Sequence, residues 1–301
     1  MSSFTLGAQS AQGRFVRQAS AFRDRVVEPD AGRYHLYISW ACPWAHRTVI
    51  ARRLRGLEDV ISMSAVNPYR DDRGWGFTGG EYTDPVNGWS LLSEAYAATD
   101  PAFEGRVSVP VLWDRAAGRI VNNESADVLR ILQEDFPQAT GADLCPAGAR
   151  AEIEALNHRI YETVNNGVYK AGFSTDQSVY EEEVRALFET LAFLEGLLAS
   201  RRFLAATPEP TEADWRLFTT LVRFDSVYAI HFKCSMSRIV DHPHLWAYLR
   251  DLYQHAGVSG TVRMDEIKRH YYTTHTSINP NGLIPLGPVL DFGAPHGREA
   301  L

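Results

Sequence analysis

The pattern of hydrophobic and polar residues changes character along the chain. In the first half, short apolar and β-branched runs alternate with helical stretches. Tyr34–Ser39 suits a buried strand, and Pro43 is placed to open a helix that the pattern carries to about Leu54. Asp59–Val66 supplies a second strand, parallel to the first, and completes a β-α-β unit. Arg106–Asp114 reads as a third strand with Pro110 inside it. A proline there removes a ladder donor, which predicts a kinked, cis Val109–Pro110 bond at the strand's start. A fourth strand begins at Arg119 and leads into a helix that starts at Glu124 or Ser125.

From Pro146 onward the pattern turns helical. Ala149–Gly167 and Tyr180–Ser200 carry apolar residues at helical spacing, with Leu187, Leu191, Leu194 and Leu198 marking the second. Thr211-Glu-Ala-Asp214 is a capping box with Asp in place of Glu, and it introduces the apolar run Trp215–Phe232. His244–Ala256 is a further helix, and the tail from Arg269 is turn-rich, read as packed back over the helices. The predicted organisation is an α/β domain over residues 1–147, with 1–33 as an extension wrapping it, and an all-α domain over 148–301.

The chain's 301 residues suit two packed domains. A net charge of −7 argues against nucleic acid as the main partner. No apolar run approaches a membrane span and the N-terminus lacks the regions of a signal peptide, so a cytoplasmic protein is expected. Cys42, Cys145 and Cys234 form neither a disulfide framework nor a zinc-binding pattern, which fits a reducing compartment. His231, His242, His244, His255, His270, His275 and His296 show no metal-ligand spacing and are read as surface residues or residues behind a site.

The candidate chemistry centres on Cys42. At a helix N-terminus, unsatisfied amides and the positive end of the macrodipole favour a thiolate over a thiol. Ala45 occupies the place of a resolving cysteine in a Cys-x-x-Cys motif, so a mixed disulfide at Cys42 needs an outside thiol to resolve it. A lone cysteine is otherwise a small core residue. The helix start at Glu124–Ser125 can hold a carboxylate through its amides and an ammonium through Glu124, the two charges of a γ-glutamyl group; Asn123, Glu124 and Ser125 can equally be plain caps. Residues 67–105 hold Trp75, Phe77, Tyr82, Trp89, Tyr96 and Phe103, more aromatic surface than a connection requires, and most of these rings are expected to pack the loop down.

Taken together, Ser39-Trp-Ala-Cys42-Pro-Trp-Ala-His-Arg47, Gly74-Trp-Gly-Phe77, Arg106-Val-Ser-Val-Pro110, Asn122-Asn-Glu-Ser125, Asn165-Asn-Gly-Val-Tyr169, His270-Tyr-Tyr272 and Pro285-Leu-Gly-Pro288 resemble the glutathionyl-hydroquinone reductases, the Xi-class glutathione transferases, over nearly the whole chain. The resemblance implies a thioredoxin-like α/β domain followed by an all-α domain. It implies glutathione-dependent reduction of glutathionyl-hydroquinones through a Cys42-glutathione mixed disulfide. Carried over by position, Trp75, Arg106, Val109, Glu124 and Ser125 hold glutathione. Tyr169 and one or both of Tyr271 and Tyr272 face the quinol, with Tyr169 and Tyr272 as the catalytic tyrosines. It further implies glutathione as co-substrate with no permanently bound cofactor, no metal, and a homodimer formed through the helical domains. Two other readings belong to the same fold: a conjugating or thiol-transferring transferase, served by glutathione or by another low-molecular-weight thiol, and a non-catalytic binding module.

Overall fold

The computed structural model describes residues Ala8–Gln9 and 13–301. In chain order its principal elements are β1 (Tyr34–Ile38), α1 (Pro43–Leu54), β2 (Ser62–Ala65), α2 (Ser93–Thr99), β3 (Val111–Asp114), β4 (Arg119–Asn122), α3 (Ser125–Glu134), α4 (Arg150–Ile160), α5 (Gly167–Gly172), α6 (Gln177–Leu198), α7 (Glu212–Arg223), α8 (Pro243–Gln254) and α9 (Met264–Thr274). They form two compact units. Residues 18–142 and 261–276 make the first, and 143–260 and 277–301, joined by the stretch up to Arg17, make the second.

In the first unit four strands form a mixed sheet in the order β2-β1-β3-β4. β1 pairs in parallel with β2, Leu36 opposite Met63, and antiparallel with β3, Leu36 opposite Leu112. Every residue of β1 is buried, which is why this central strand reads as a continuous run rather than an alternating one. α1 and α3 pack against each other, α3 burying Val128, Leu129, Ile131 and Leu132 at helical spacing. Val109–Pro110 is cis, as expected, and β3 begins immediately after it rather than at Arg106.

The central strand carries a buried histidine. His35 is fully buried, with Nδ1 2.7 Å from Ser62 Oγ and Nε2 2.8 Å from Ser64 Oγ. Burial pushes its pKa from 6.5 down to about 4. Between those values the unfolded chain binds a proton that the folded chain refuses. Stability from this group is therefore present above pH 6.5 and lost as pH falls toward 4, on the order of 3 kcal/mol at full extent. His35→Gln, which does not titrate, is expected to lose less stability than wild type between pH 7 and pH 4.5 in urea melts. Equal losses would remove His35 as the cause.

The second unit is helical, and α7 opens on the capping box foreseen at Thr211 and Asp214. Two long apolar runs are not single helices. Asn166 N–H bonds the carbonyl of Tyr161, five residues back, so a π-turn over Tyr161–Asn165 separates α4 from α5. A second π-turn over Phe224–Tyr228 follows α7. Such a turn adds a residue without breaking the apolar run, so hydrophobic spacing does not reveal it.

Two further expectations are corrected. Arg269–Tyr272 are not turn-rich tail over the helical domain. They lie in α9, which buries Ile267, Tyr271 and Tyr272, belongs to the first unit, and bonds Pro68 O through His270 Nδ1 at 2.8 Å. The N-terminal extension does not wrap the first domain alone. Its part from Gln18 packs there, while Phe15 in the second unit stacks on Phe173 with ring centres 5.5 Å apart; Met1–Gly7 and residues 10–12 lie outside the described residues. Of the histidines read as surface residues or residues behind a site, His231, His270 and His275 are buried. Among the described residues no helix is long and apolar enough to cross a membrane, and no group of three His, Cys, Asp or Glu could hold a metal ion.

Candidate active site

Between β1 and α1 the chain turns tightly, Cys42 N–H donating to the Ser39 carbonyl at 3.1 Å. Cys42 is the N-cap residue of α1, with an extended backbone (φ −78°, ψ 120°), and its side chain is not used as a cap. The residue thus stands at the N-terminal end of α1, where a helix dipole favours negative charge. It lies 3.6 Å from the carbonyl oxygen of Val109, the residue that enters the cis bond to Pro110. Cys42 is half-buried, whereas Cys145 and Cys234 are buried, and burial pushes the Cys234 thiol far up.

Glu124 caps α3, its Oε1 accepting from Ala126 N–H at 3.1 Å, and its own N–H donates to Asn122 Oδ1 at 2.8 Å. Ser125 follows as the buried first residue of the helix. Capping and charge recognition are therefore compatible here: the cap fixes a carboxylate at a helix start whose amides can receive an anion. The buried Tyr96 on α2 ties this segment to the cis-proline segment. Its hydroxyl donates to Ser108 O at 2.9 Å and accepts from Ser108 N–H at 3.1 Å and from Asn123 Nδ2 at 3.0 Å. Arg106, half-buried on the same stretch, donates its backbone N–H to Gln18 Oε1 at 3.1 Å.

Trp75 sits in the long loop, which Asp84 anchors to β1. The Asp84 carboxylate accepts from the buried Tyr37 hydroxyl at 2.8 Å and from the backbone of Val86, Asn87 and Trp89. The Trp75 indole is buried and stacks on His270, ring centres 5.0 Å apart and planes within 22°. His270 is followed on α9 by Tyr271 and Tyr272, both buried. Tyr271 packs edge-on against His275, and burial pushes the Tyr272 phenol up to about 12.

Eight of the nine residues singled out from the sequence thus belong to the first unit. Tyr169 belongs to the second. It lies on α5, buried among Phe173, Tyr228 and Phe232, with the Arg17 guanidinium 4.8 Å above its ring. Arg17 Nε also donates to Asn166 Oδ1 at 2.8 Å. Gly172 is required here, because a Cβ would stand 2.2 Å from Cγ of Phe232. Nothing in the sequence singles out Arg17 as a support. Tyr96 is expected from it only among the rings that pack the loop down, and His270 only as a surface residue or one behind a site.

Residues 41–135 match the family described as glutathione S-transferase, N-terminal domain, and residues 177–251 match glutathione S-transferase, C-terminal domain, which puts the chain in the glutathione transferase class. It is 46% identical to the glutathionyl-hydroquinone reductase YqjG of Escherichia coli K12 over 97% of this chain and 94% of that protein. It is 47% identical to the glutathionyl-hydroquinone reductase PcpF of Sphingobium chlorophenolicum over 93% and 92%. Among solved structures, glutathione-bound YqjG superposes with a TM-score of 0.87 at 48% identity, covering 90% of each chain. A Xi-class glutathione transferase from Natrialba magadii superposes with a TM-score of 0.91 at 48% identity, covering 93% of this chain and 89% of that one. The chain belongs to the glutathionyl-hydroquinone reductases, the Xi class of the glutathione transferases.

Proposed function

We propose that this protein reduces glutathionyl-hydroquinones to hydroquinones with glutathione as co-substrate. The observation that carries the reading is a half-buried cysteine at the N-cap of α1, with Ala45 in place of a resolving cysteine, in a chain 46–47% identical to two named reductases. The Cys42 thiolate attacks the glutathione sulfur of the aryl thioether. The new S–S bond forms as the sulfur–aryl bond breaks, and the aryl carbon takes the bonding pair and a proton. A second glutathione thiolate attacks the glutathionyl sulfur of the mixed disulfide, releasing oxidised glutathione and Cys42 thiolate. The net change is one thioether plus one glutathione giving one hydroquinone plus one oxidised glutathione. Chromatography of a reaction with a synthetic glutathionyl-hydroquinone is expected to show these two products in equal amounts. A glutathione adduct of an electrophile without hydroquinone release would instead mark a conjugating transferase.

In this scheme Trp75, Arg106, Val109, Glu124 and Ser125 hold the peptide. Trp75→Ala and Glu124→Ala are expected to raise the Michaelis constant more than they lower kcat, a lost charge-assisted contact costing about 1.5–3 kcal/mol. Unchanged Michaelis constants in both would count against the assignment. Tyr169 and Tyr272 serve the quinol. A phenol pushed up to about 12 is protonated at neutral pH, which suits Tyr272 to donate a proton or hydrogen bond. Tyr169→Phe and Tyr272→Phe should lower kcat with thiol binding intact, whereas full activity in both would move the quinol pocket elsewhere.

A homodimer through the helical unit is part of the proposal. Leu286 (100% exposed) and Val289 (96%) flank Pro288, which lines a shallow groove of about 500 Å³ with the exposed Ile230 and Met236. Apolar side chains so open to water favour a covering partner. Leu286→Asp with Val289→Asp is expected to convert a dimer to a monomer in light scattering; a wild-type monomer would end the idea. Three free cysteines suit a reducing compartment such as the cytoplasm.

A further inference from the structure

We propose that Ser20, on the N-terminal extension, is a positioning residue that fixes the Glu124 carboxylate for an α-ammonium group and so makes the site selective for γ-glutamyl thiols. The proposal rests on the reading of Glu124 as the ammonium partner.

The extension is held at this place by its own backbone. Phe22 O accepts from Asn123 N–H and Phe22 N–H donates to Asn123 Oδ1, each at 3.0 Å, while Asp24 N–H donates to Val121 O at 3.0 Å. Arg23 faces Asn122 in an antiparallel bridge, so the segment runs along the edge strand β4 and past the start of α3. The Phe22 ring closes the arrangement by packing on Tyr96 and Phe103, ring centres 5.7 and 5.6 Å away. The Arg23 guanidinium is committed to Asp127 through two bonds of 2.7 Å.

Two residues before Phe22, Ser20 Oγ donates to Glu124 Oε2 at 2.9 Å, with Asn123 O a longer alternative at 3.4 Å. The other carboxylate oxygen, Oε1, is taken by Ala126 N–H at 3.1 Å and lies 3.5 Å from Ser125 Oγ. One oxygen is thus tied to the helix and the other to the extension, which defines the carboxylate plane. A single bond would leave the terminal torsion of Glu124 free, because that sp³–sp² rotation is soft. Each carboxylate oxygen still has a lone pair to offer. An ammonium group arriving there meets an acceptor that need not be ordered on binding, the general source of gain from preorganisation. A thiol without an α-amino group gains nothing from the same restraint.

The probe is S-methylglutathione, which cannot form a disulfide with Cys42, compared by calorimetry with its analogue lacking the α-amino group. Ser20→Ala is expected to weaken S-methylglutathione about three- to tenfold, to leave the des-amino analogue within twofold, and to be restored by Ser20→Thr. In a Glu124→Gln background Ser20→Ala should add no further loss. If Glu124→Gln weakens S-methylglutathione but Ser20→Ala does not, the role of Ser20 is overturned and the ammonium reading of Glu124 stands. If Glu124→Gln itself has no effect, both fall. Equal weakening of both ligands by Ser20→Ala would show a general disturbance of the fold and would also overturn the proposal.

Discussion

Cys42→Ser is expected to lower reduction of glutathionyl-hydroquinones by more than about 10³-fold, the scale on which removal of a covalent nucleophile acts. A serine hydroxyl at the same N-cap can donate a hydrogen bond to a bound thiolate, but it cannot form a disulfide or leave as a thiolate. The variant is therefore expected to gain weak conjugating activity, and Cys42→Ala should lose both. The substitution is mild for the fold, since the Cys42 side chain is not the cap of α1 and the sulfur is half-buried. The comparison of cysteines gives a second readout. Native protein treated with iodoacetamide at neutral pH should be modified at Cys42 well before the buried Cys145 and Cys234. Mass spectrometry after stalling the reaction without free glutathione should find one glutathione on Cys42. Reductase activity in Cys42→Ser, or alkylation of Cys42 no faster than of the other two, would sink the mechanism.

What made this cysteine visible is local. A strand ending at Ile38, a cysteine and a proline at the first helical position are signals that act within a few residues, and the structure realises them at the predicted bounds of α1. The Val109–Pro110 bond, the Glu124 cap and the Thr211 box are legible for the same reason. The remainder of the site depends on pairs far apart in the chain. Ser20 meets Glu124, and Trp75 stacks on His270, through contacts that no periodicity encodes. α9 is not legible in the sequence because Met264-Asp-Glu-Ile-Lys-Arg-His-Tyr-Tyr-Thr-Thr carries a single aliphatic residue in its middle and ends in two β-branched threonines. The tertiary burial of Tyr271 and Tyr272 supplies what local propensity does not. The Tyr161–Asn165 π-turn has a similar origin: Asn165 Nδ2 donates to Arg216 O at 2.9 Å and to Thr220 Oγ1 at 2.8 Å, anchoring the turn to α7.

Asp214→Ala should be the most destabilising single change in the helical unit, at about 3–5 kcal/mol. The Asp214 carboxylate is fully buried and accepts four hydrogen bonds. Oδ2 takes Thr211 N–H at 2.7 Å and Thr211 Oγ1 at 2.9 Å; Oδ1 takes Leu204 N–H at 2.9 Å and the Tyr248 hydroxyl at 2.8 Å. One side chain thus joins the start of α7, the preceding turn and α8. Truncation strands two buried amides and a buried phenol, a larger penalty than the net worth of any one of these bonds. Asp214→Asn is no rescue, because its NH₂ group faces N–H and O–H donors where an acceptor is required. Burial holds the Asp214 carboxyl above the usual carboxylate range despite those donors. The folded chain therefore keeps its proton at pH values where the unfolded chain has released it, so this group's contribution falls as pH rises through that window. Tyr248→Phe, which removes one donor, should cost about 1 kcal/mol in wild type and less in the Asp214→Ala background, where the partner is already gone. Urea unfolding of the four proteins in this cycle measures both numbers. A loss under about 1 kcal/mol for Asp214→Ala would mean that the network closes around the gap and that Asp214 is not the joint of the helical unit.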